Sequence, residues 1–331
     1  MKKLLLMMLM PLATLSAWAQ GNDYNMVIEL KNGTTVTLGA NDVENLTFNG
    51  GSLSVSGNTI EDIYAQIEEL RAMIGQLQEN AEPAVRTFNV NGVTFRMIKV
   101  KGGTFQMGAS EELATNEDQK PAHSVTLSDF YIAETEVTQE LYKAVMDSKY
   151  DAYSTPWNST LGIGDDYPAY MQSWGSGYFL SALNELTGLS FRLPTEAEWE
   201  FAARGGNESG NYRFAGGDYL WDLGWYRENC QVDWPYEYAT EYGYHLVKDK
   251  YPNELGLYDM SGNVPEWCSD WYGPYGSSAQ TNPTGPSNGS ERVLRGGDFT
   301  STEDECTVFY REKSDPSSAI GGLRLVLSTN F

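Results

Sequence analysis

Hydrophobic and polar residues alternate from Tyr24 to Ser56. The run YNMVIELKNGTTVTL places the turn Lys31-Asn32-Gly33 between two alternating segments, and Asn-Gly is a strong signal for a hairpin. LTFNGGSLSV repeats the arrangement around a second glycine-containing turn. The pattern predicts a small β-rich region over residues 20–57. Isolated hairpins are only marginally stable, so we expect this region to pair with a second copy or with another protein.

The next segment has a helical spacing. Its apolar residues are separated by three and four positions, which is the seam of a heptad repeat: Ile60, Ile63, Ile67, Leu70, Ile74 and Leu77. Residues 58–82 are therefore predicted to form a coiled-coil helix and a linker. Residues 60–77 would then join copies of the chain into a homo-oligomer, whose number the pattern leaves open. The alternative is an amphipathic helix that packs on its own domain.

From Val85 onward, short alternating runs are interrupted by Gly, and three segments have helical character. Thr138 and Thr195 are positioned to cap the first and the third helix, and Glu198 completes a capping box in the third. The second helix is predicted over residues 178–187. Short strands mixed with helices of this kind indicate a third region of α+β class.

The first nineteen residues have the pattern of a secretory signal peptide. Two lysines are followed by the apolar run from Leu4 to Leu15 and by an Ala17-Trp18-Ala19 cleavage motif. Cleavage after Ala19 predicts an exported protein, periplasmic or extracellular, in a compartment where disulfides persist.

Composition narrows the classes of partner. The chain has 331 residues and a formal net charge of −23, which argues against nucleic acid and anionic membrane surfaces because both attract basic faces. After the first twenty residues no apolar run is long enough to span a bilayer, so the protein is predicted not to be membrane-spanning. With 3 Cys and 2 His, and no zinc-type spacing, a histidine-built transition-metal site is not expected.

The turn between Leu255 and Trp267 is the strongest candidate for a metal site. Asp259 and Glu266 are carboxylates seven residues apart, and the carbonyls of Gly262 and Val264 lie between them. Carboxylates and carbonyls are the ligands that Ca²⁺ selects. The alternative is an ordinary surface turn that carries two solvated acids.

Seven motifs resemble those of the formylglycine-generating enzyme, or sulfatase-modifying factor, family. In chain order they are VKGGTFQMG, EDQKPAHSVTLSDFYIAETEVTQELYKAVM, YPAYMQSW, FRLPTEAEWEFAARGG, GLYDMSGNVPEW, RVLRGGDF and GGLRLVL. The resemblance covers residues 85–331 and implies an irregular, loop-rich domain related to C-type lectin folds. It further implies an oxidoreductase that uses O₂ and Cu(I) to convert a sulfatase cysteine to formylglycine.

The resemblance assigns the copper site to the segment after RVLRGGDF. Aligning the two copper cysteines of the family places the distal one at Cys306, while Ser301 stands where the proximal one is expected and Asp298 where the family has serine. Cu(I) selects paired thiolates, so a single cysteine leaves the site incomplete. Cys306 is therefore either a copper or substrate-thiol ligand or a structural cysteine. As a structural cysteine, its preferred disulfide partner is Cys268.

The resemblance also supports the calcium turn, with Asp259, Gly262, Val264 and Glu266 as ligands and Pro265 where the family has tryptophan. A second calcium site falls in the loop over residues 227–243, where Asn229 is the plausible ligand. Arg311 and Arg324 match family arginines and are expected to have structural roles. Arg324 in particular is expected to pair with a buried acid.

Two functions remain open. In the first, the protein is a formylglycine-generating oxidoreductase whose partner is a cysteine-containing protein or peptide. In the second, it is a non-catalytic, Ca²⁺-stabilised binding or scaffold protein, multimerised by the coiled coil, which binds an envelope protein or glycan. The aromatic segment from Trp221 to Tyr244 would then be the recognition surface, because Trp and Tyr suit both kinds of partner.

Overall fold

The computed structural model describes residues 83–150, 155–171, 176–230 and 242–329, together with six short strands between residues 8 and 54. The chain divides into two compact units, Met1–Glu82 and Pro83–Phe331. The predicted coiled coil and linker over residues 58–82 lie outside the described residues, and so does segment 231–241 of the predicted second calcium loop and recognition surface.

The first unit contains a four-stranded antiparallel sheet in the order β1-β2-β3-β4 and a separate β5–β6 pair. Strands β3 and β4, which flank the predicted Lys31-Asn32-Gly33 turn in the sequence, pair antiparallel. The predicted cleavage after Ala19 falls within β2 and stays a prediction. The strands are β1 (Met8–Leu9), β2 (Ala13–Gln20), β3 (Asp23–Leu30), β4 (Thr35–Gly39), β5 (Thr47–Asn49) and β6 (Ser52–Ser54).

The second unit is a mixed helix and strand domain in which long irregular segments separate short elements, as the α+β, loop-rich prediction requires. Its helices are α1 (Gln139–Met146), α2 (Ser176–Thr187) and α3 (Glu196–Ala203). Its strands are β7 (Val85–Val90), β8 (Val93–Val100), β9 (Thr104–Met107), β10 (His123–Thr126), β11 (Phe130–Ala133), β12 (Tyr170–Met171), β13 (Glu266–Trp271), β14 (Gln280–Thr281), β15 (Arg292–Arg295), β16 (Glu312–Ser314), β17 (Gly321–Gly322) and β18 (Val326–Ser328).

The described strands of this domain form three sheets. An antiparallel sheet has the order β18-β11-β8-β7, a five-stranded sheet has the order β12-β17-β13-β15-β16, and a small sheet has the order β14-β10-β9. Because β17 and β18 belong to different sheets, the three residues between them connect the two larger sheets. Arg324 lies in this connection, and Glu266 opens β13 opposite Gly322.

The helix starts confirm the local signals in the sequence. The Thr138 side chain accepts a hydrogen bond from Leu141 N, and Thr195 and Glu198 form the predicted capping box at α3. Trp199 and Phe201 of α3 are buried in the main hydrophobic cluster. No helix in the described part of the chain is long and apolar enough to cross a membrane.

Candidate functional site

The turn between Leu255 and Trp267 is buried, so the alternative of a solvated surface turn is wrong. Asp259 is 2% exposed and Glu266 is 1% exposed. Gly262 has φ +87°, and its N–H donates to Gly296 O at 2.8 Å, while Asn263 N donates to Trp225 O at 2.7 Å. These contacts fix the turn from both sides, and its acids are therefore internal groups that need partners.

Glu266 forms an ion pair at the centre of the domain. Arg324 donates to Glu266 Oε1 at 2.6 Å from Nη2 and at 2.9 Å from Nε, and Trp199 Nε1 donates to Oε2 at 2.7 Å. Arg324 is fully buried, which confirms the expected pairing of this arginine with a buried acid. Both oxygens of Glu266 are thus engaged by the protein's own donors.

Asp259 faces a different acid, Glu136, which sequence reasoning missed. Lys248 N donates to Asp259 Oδ2 at 2.9 Å, and Asn263 Nδ2 donates to Glu136 Oε1 at 3.0 Å. The other oxygen of each carboxyl, Asp259 Oδ1 and Glu136 Oε2, is buried without a hydrogen-bond partner. Glu136 lies in the quoted motif ETEVTQ, but nothing in its own segment signals a pairing across more than a hundred residues.

Burial raises the proton affinity of both carboxyls. Burial, followed by the negative charge of Asp259, raises the pKa of Glu136 well above its ordinary value. Burial also raises the pKa of Asp259 to about 6, although the backbone hydrogen bond from Lys248 opposes the shift. Two adjacent buried acids are stabilised by either a shared proton or a cation.

The predicted calcium ligands fit a cation only in part. Asp259 Oδ1 and Glu136 Oε2, which accept no hydrogen bond, have the hard-oxygen chemistry that Ca²⁺ requires, although Arg324 Nη2 already lies 3.9 Å from Glu136 Oε2. Glu266 does not fit as a free ligand, because Arg324 and Trp199 occupy its oxygens. In the described part of the chain no three His, Cys, Asp or Glu side chains form a metal-binding group, so backbone carbonyls such as those of Gly262 and Val264 would have to complete the coordination.

Asn229, the predicted ligand of the second calcium site, stabilises its own loop by hydrogen bonds. Its Oδ1 accepts from Tyr226 N at 2.8 Å, and its Nδ2 donates to Gly224 O at 2.8 Å. The side chain is thus hydrogen-bonded at both ends within its own turn.

Ser301 closes a local turn with Asp298. Ser301 Oγ accepts from Asp298 N at 3.0 Å and donates to Asp298 Oδ1 at 3.3 Å, and Thr300 N also donates to that oxygen, at 2.7 Å. These contacts resemble a capping turn, in which a short polar side chain satisfies nearby backbone groups.

Cys306 ends the 3₁₀ helix Glu303–Cys306 and is fully buried. It packs in an apolar cluster with Phe214, Leu220, Leu223 and Tyr226. Burial, followed by the negative charges of Asp298, Glu305 and Glu228, raises the pKa of the Cys306 thiol well above its ordinary value. A protonated thiol enclosed by apolar side chains does not fit Cu(I), which requires accessible thiolates.

The cysteines form no disulfide, so the expected pairing of Cys268 with Cys306 is wrong. All three cysteines lie in the described part of the chain and are buried. Cys268 packs in the main cluster with α3, Cys306 packs against Phe214, and Cys230 packs in a third cluster with Phe299. Side chains in separate packed clusters do not reach the short separation that a disulfide needs.

Comparison with known proteins places these features in a family. A family model described as the sulfatase-modifying factor enzyme 1-like domain matches residues 83–329. The chain belongs to the sulfatase-modifying factor family. The match begins two residues before β7 and ends one residue after β18, so it covers nearly the whole second unit. The family resemblance expected from the seven motifs is confirmed.

The relatives carry different names. The formylglycine-generating enzyme of Streptomyces coelicolor is 33% identical over 289 residues, which is 73% of this chain and 90% of that protein. The chaperone protein LppX of Paenibacillus barcinonensis is 28% identical over 267 residues, 70% of this chain and 89% of that one. Among solved structures, Treponema denticola variable protein 1 matches with a TM-score of 0.62 and 30% identity, covering 75% of this chain and all of that chain.

Proposed function

We propose that this protein is a non-catalytic member of the sulfatase-modifying factor family that works as a binding module of the cell envelope. The observation that supports this most strongly is the state of the copper segment. Ser301 is hydrogen-bonded to Asp298, and Cys306 is enclosed by aromatic and aliphatic side chains with its pKa raised. Such a thiol is a weak nucleophile and a weak metal ligand.

Export and multimerisation complete the proposal. The signal pattern of residues 1–19 would deliver the protein to the periplasm or beyond, and the heptad seam of residues 60–77 would present several copies of the domain. When several copies are linked, binding of one copy holds the others close to the partner at a high effective concentration. Weak single contacts then gain avidity.

Exposed aromatics support a recognition role. Tyr219, Trp221, Tyr242 and Tyr251 are between 39% and 71% exposed, whereas large aromatic side chains are usually buried. They flank or belong to the segment from Trp221 to Tyr244. Rings with one apolar face and one polar group suit a protein or glycan partner.

The second candidate is the enzyme itself. Its support is the 33% identity to the formylglycine-generating enzyme of Streptomyces coelicolor over most of both chains. A cysteine-containing protein or peptide would be the substrate in that case, and Cys306 would be a ligand of copper or of the substrate thiol.

A turnover assay separates the two functions. The protein without its signal segment is incubated with Cu(I), Ca²⁺, O₂ and a C-x-P-x-R peptide, and mass spectrometry follows conversion of the peptide cysteine to an aldehyde. We expect no conversion by the native protein, because the Cys306 thiol is protonated and Ser301 supplies no second thiol. The Streptomyces coelicolor enzyme is the positive control.

Two variants make this assay decisive. Conversion by the native protein that disappears in Cys306→Ala would overturn the non-catalytic proposal. Conversion gained only in Ser301→Cys would support it, since the scaffold would then be intact and lack only the second thiol.

The proposal includes Ca²⁺ bound by Asp259 and Glu136 with backbone carbonyls of the same turn. At a free Ca²⁺ concentration of one hundred times Kd, binding would stabilise the native state by about 2.7 kcal/mol. We expect thermal unfolding to show this increment between Ca²⁺ and EDTA buffers, and to lose it in Asp259→Asn. In EDTA that variant should be at least as stable as the native protein, because it removes one of two adjacent buried carboxylates.

Asp249→Asn is the matched control, since Asp249 is an exposed acid ten residues before Asp259 in the chain. A calcium increment of equal size in the native protein and in Asp259→Asn would show that Ca²⁺ binds elsewhere.

A further inference from the structure

The sheet of the first unit includes a strand from the predicted signal segment. Strand β2 (Ala13–Gln20) pairs antiparallel with β3 (Asp23–Leu30) along the full length of both strands. On its other side β3 pairs with β4 over residues 25–29. β3 is therefore an interior strand, and β2 covers one of its two edges.

Cleavage of the signal segment would uncover that edge. The predicted cut after Ala19 leaves only Gln20 of β2 and removes β1 completely. Among the described strands β4 would then be the one still paired with β3, because β5 and β6 form a separate pair. This step depends on the export proposed above.

The remaining β3–β4 hairpin needs another strand. An isolated hairpin is only marginally stable, and three or more strands or a packed partner are required for independent stability. β3 also lacks the features that protect natural edge strands, such as short length, lysine, proline or a bulge. It has eight residues and pairs without a register shift, and positions 24–28 contain no charged residue and no proline. Its uncovered edge is therefore suited to pairing with a further strand.

A second copy of β3 fits this edge. When two identical strands pair antiparallel, the two-fold axis is perpendicular to the sheet, so one residue lies opposite its own copy. A register centred on Val27 places Met26 opposite Ile28 and Tyr24 opposite Leu30. Opposite residues then lie on the same face of the sheet, because side chains alternate with a period of two.

The charges of β3 favour this register. The eight residues of β3 allow two registers with seven opposite positions, centred on Val27 and on Met26. Centring on Met26 would place Asp23 directly opposite Glu29 at both ends, and like charges at opposite positions destabilise a strand pair. Centring on Val27 separates these acids, and extending the alignment of the two sequences by one position matches Asp23 with Lys31.

We infer that removal of the signal segment uncovers the β3 edge and that this edge pairs antiparallel with β3 of a second copy. The two chains then share one sheet in the order β4-β3-β3-β4, which restores the four strands present before cleavage. The predicted heptad seam over residues 60–77 would hold the copies close together and so favour this pairing. Before cleavage β2 covers the same edge, so copies pair only after export.

Disulfide trapping in the processed chain tests this pairing. The exported protein is purified, and its intact mass is compared with that of a chain beginning at Gln20. In Val27→Cys the two new thiols lie opposite each other with Cα atoms about 4.5–5.5 Å apart, which a disulfide can span. We expect oxidised glutathione to convert most of this variant into a covalent dimer. The three native cysteines are buried, so they compete little.

Three matched variants define the register and the edge. In Met26→Cys and in Ile28→Cys the two new thiols are on diagonal neighbours about 7–8 Å apart, which is too far for a disulfide. Thr37→Cys places the thiol on β4, opposite Val27 across the other edge of β3. All three should form the covalent dimer about 10-fold more slowly than Val27→Cys.

A charge substitution tests the same pair without an oxidant. Val27→Lys places two like charges opposite each other on the two-fold axis, so we expect the assembly to dissociate at about 10-fold higher protein concentration in sedimentation. Thr37→Lys is the control and should dissociate as the native chain does. Ile67→Asp interrupts the heptad seam and measures the contribution of the predicted coiled coil separately.

The outcomes separate this pairing from the proposed export and multimerisation. Multimers that are lost in Ile67→Asp, together with equal trapping of Val27→Cys and Thr37→Cys, would overturn the β3 pairing and leave the coiled coil in place. Faster trapping in Met26→Cys than in Val27→Cys would also overturn it. A purified chain that retains residues 1–19 would contradict the export, and the β3 pairing with it.

Discussion

Replacing Arg324 with methionine is expected to lower the free energy of unfolding by about 3–5 kcal/mol, the range for breaking a buried ion pair from one side. Methionine fills a similar volume but leaves Glu266 as an unpaired buried carboxylate. It also removes hydrogen bonds to Ala133 O at 3.0 Å and Tyr258 O at 2.8 Å. The loss therefore affects both of the larger sheets. Urea unfolding at constant pH measures the change.

Arg96→Met provides the comparison. Arg96 donates to Glu134 at 2.8 Å, but its side chain is 47% exposed, so its removal should cost about 1 kcal/mol or less. If both substitutions changed the unfolding midpoint equally, the Arg324 pair would have no special structural role.

Gly262→Ala is expected to be the second strongly destabilising substitution, with a loss of about 3 kcal/mol or more. A Cβ at this position would lie 2.2 Å from Trp225 O and 2.9 Å from Trp225 C, both backbone atoms. Because φ is +87°, the new side chain would also strain the residue itself. This clash can be relieved only if the segment that contains Gly262 and the segment that contains Trp225 move apart.

Gly256→Ala isolates the conformational part of this effect. Gly256 has φ +81°, but a Cβ there would have no neighbour within 4 Å. Gly256→Ala should therefore lower the free energy of unfolding by about 1–2 kcal/mol, which is the cost of placing alanine in a left-handed backbone conformation. Equal losses in the two variants, measured by the same unfolding experiment, would contradict the steric argument at Gly262.

Local signals in the sequence were sufficient to predict the structural features that depend on residues close together in the chain. The caps at Thr138 and Thr195 act over three residues, so their chemistry is visible in the sequence alone. The pairing of Arg324 with an acid was expected from its match to a family arginine, and its full burial explains why it needs such a partner.

The candidate sites depended on contacts between distant segments and could not be derived in this way. Asp259 meets Glu136 across 123 positions, and Arg311 meets Glu196 across 115. A sequence pattern shows which residues neighbour each acid in the chain. It does not show the distant partner that determines whether the acid is ionised. For the same reason, the pairing of Cys268 with Cys306 failed: proximity to core motifs did not reveal that the two cysteines pack in different clusters.

The separation of the three cysteines makes them internal reporters of unfolding. In the native domain Cys230, Cys268 and Cys306 are buried, and burial raises the pKa of Cys268 and Cys306 well above the ordinary value. Alkylating reagents attack the thiolate, so modification must wait for opening of the surrounding cluster. Mapping the rate at each site by mass spectrometry would measure how independently the three parts of the domain open.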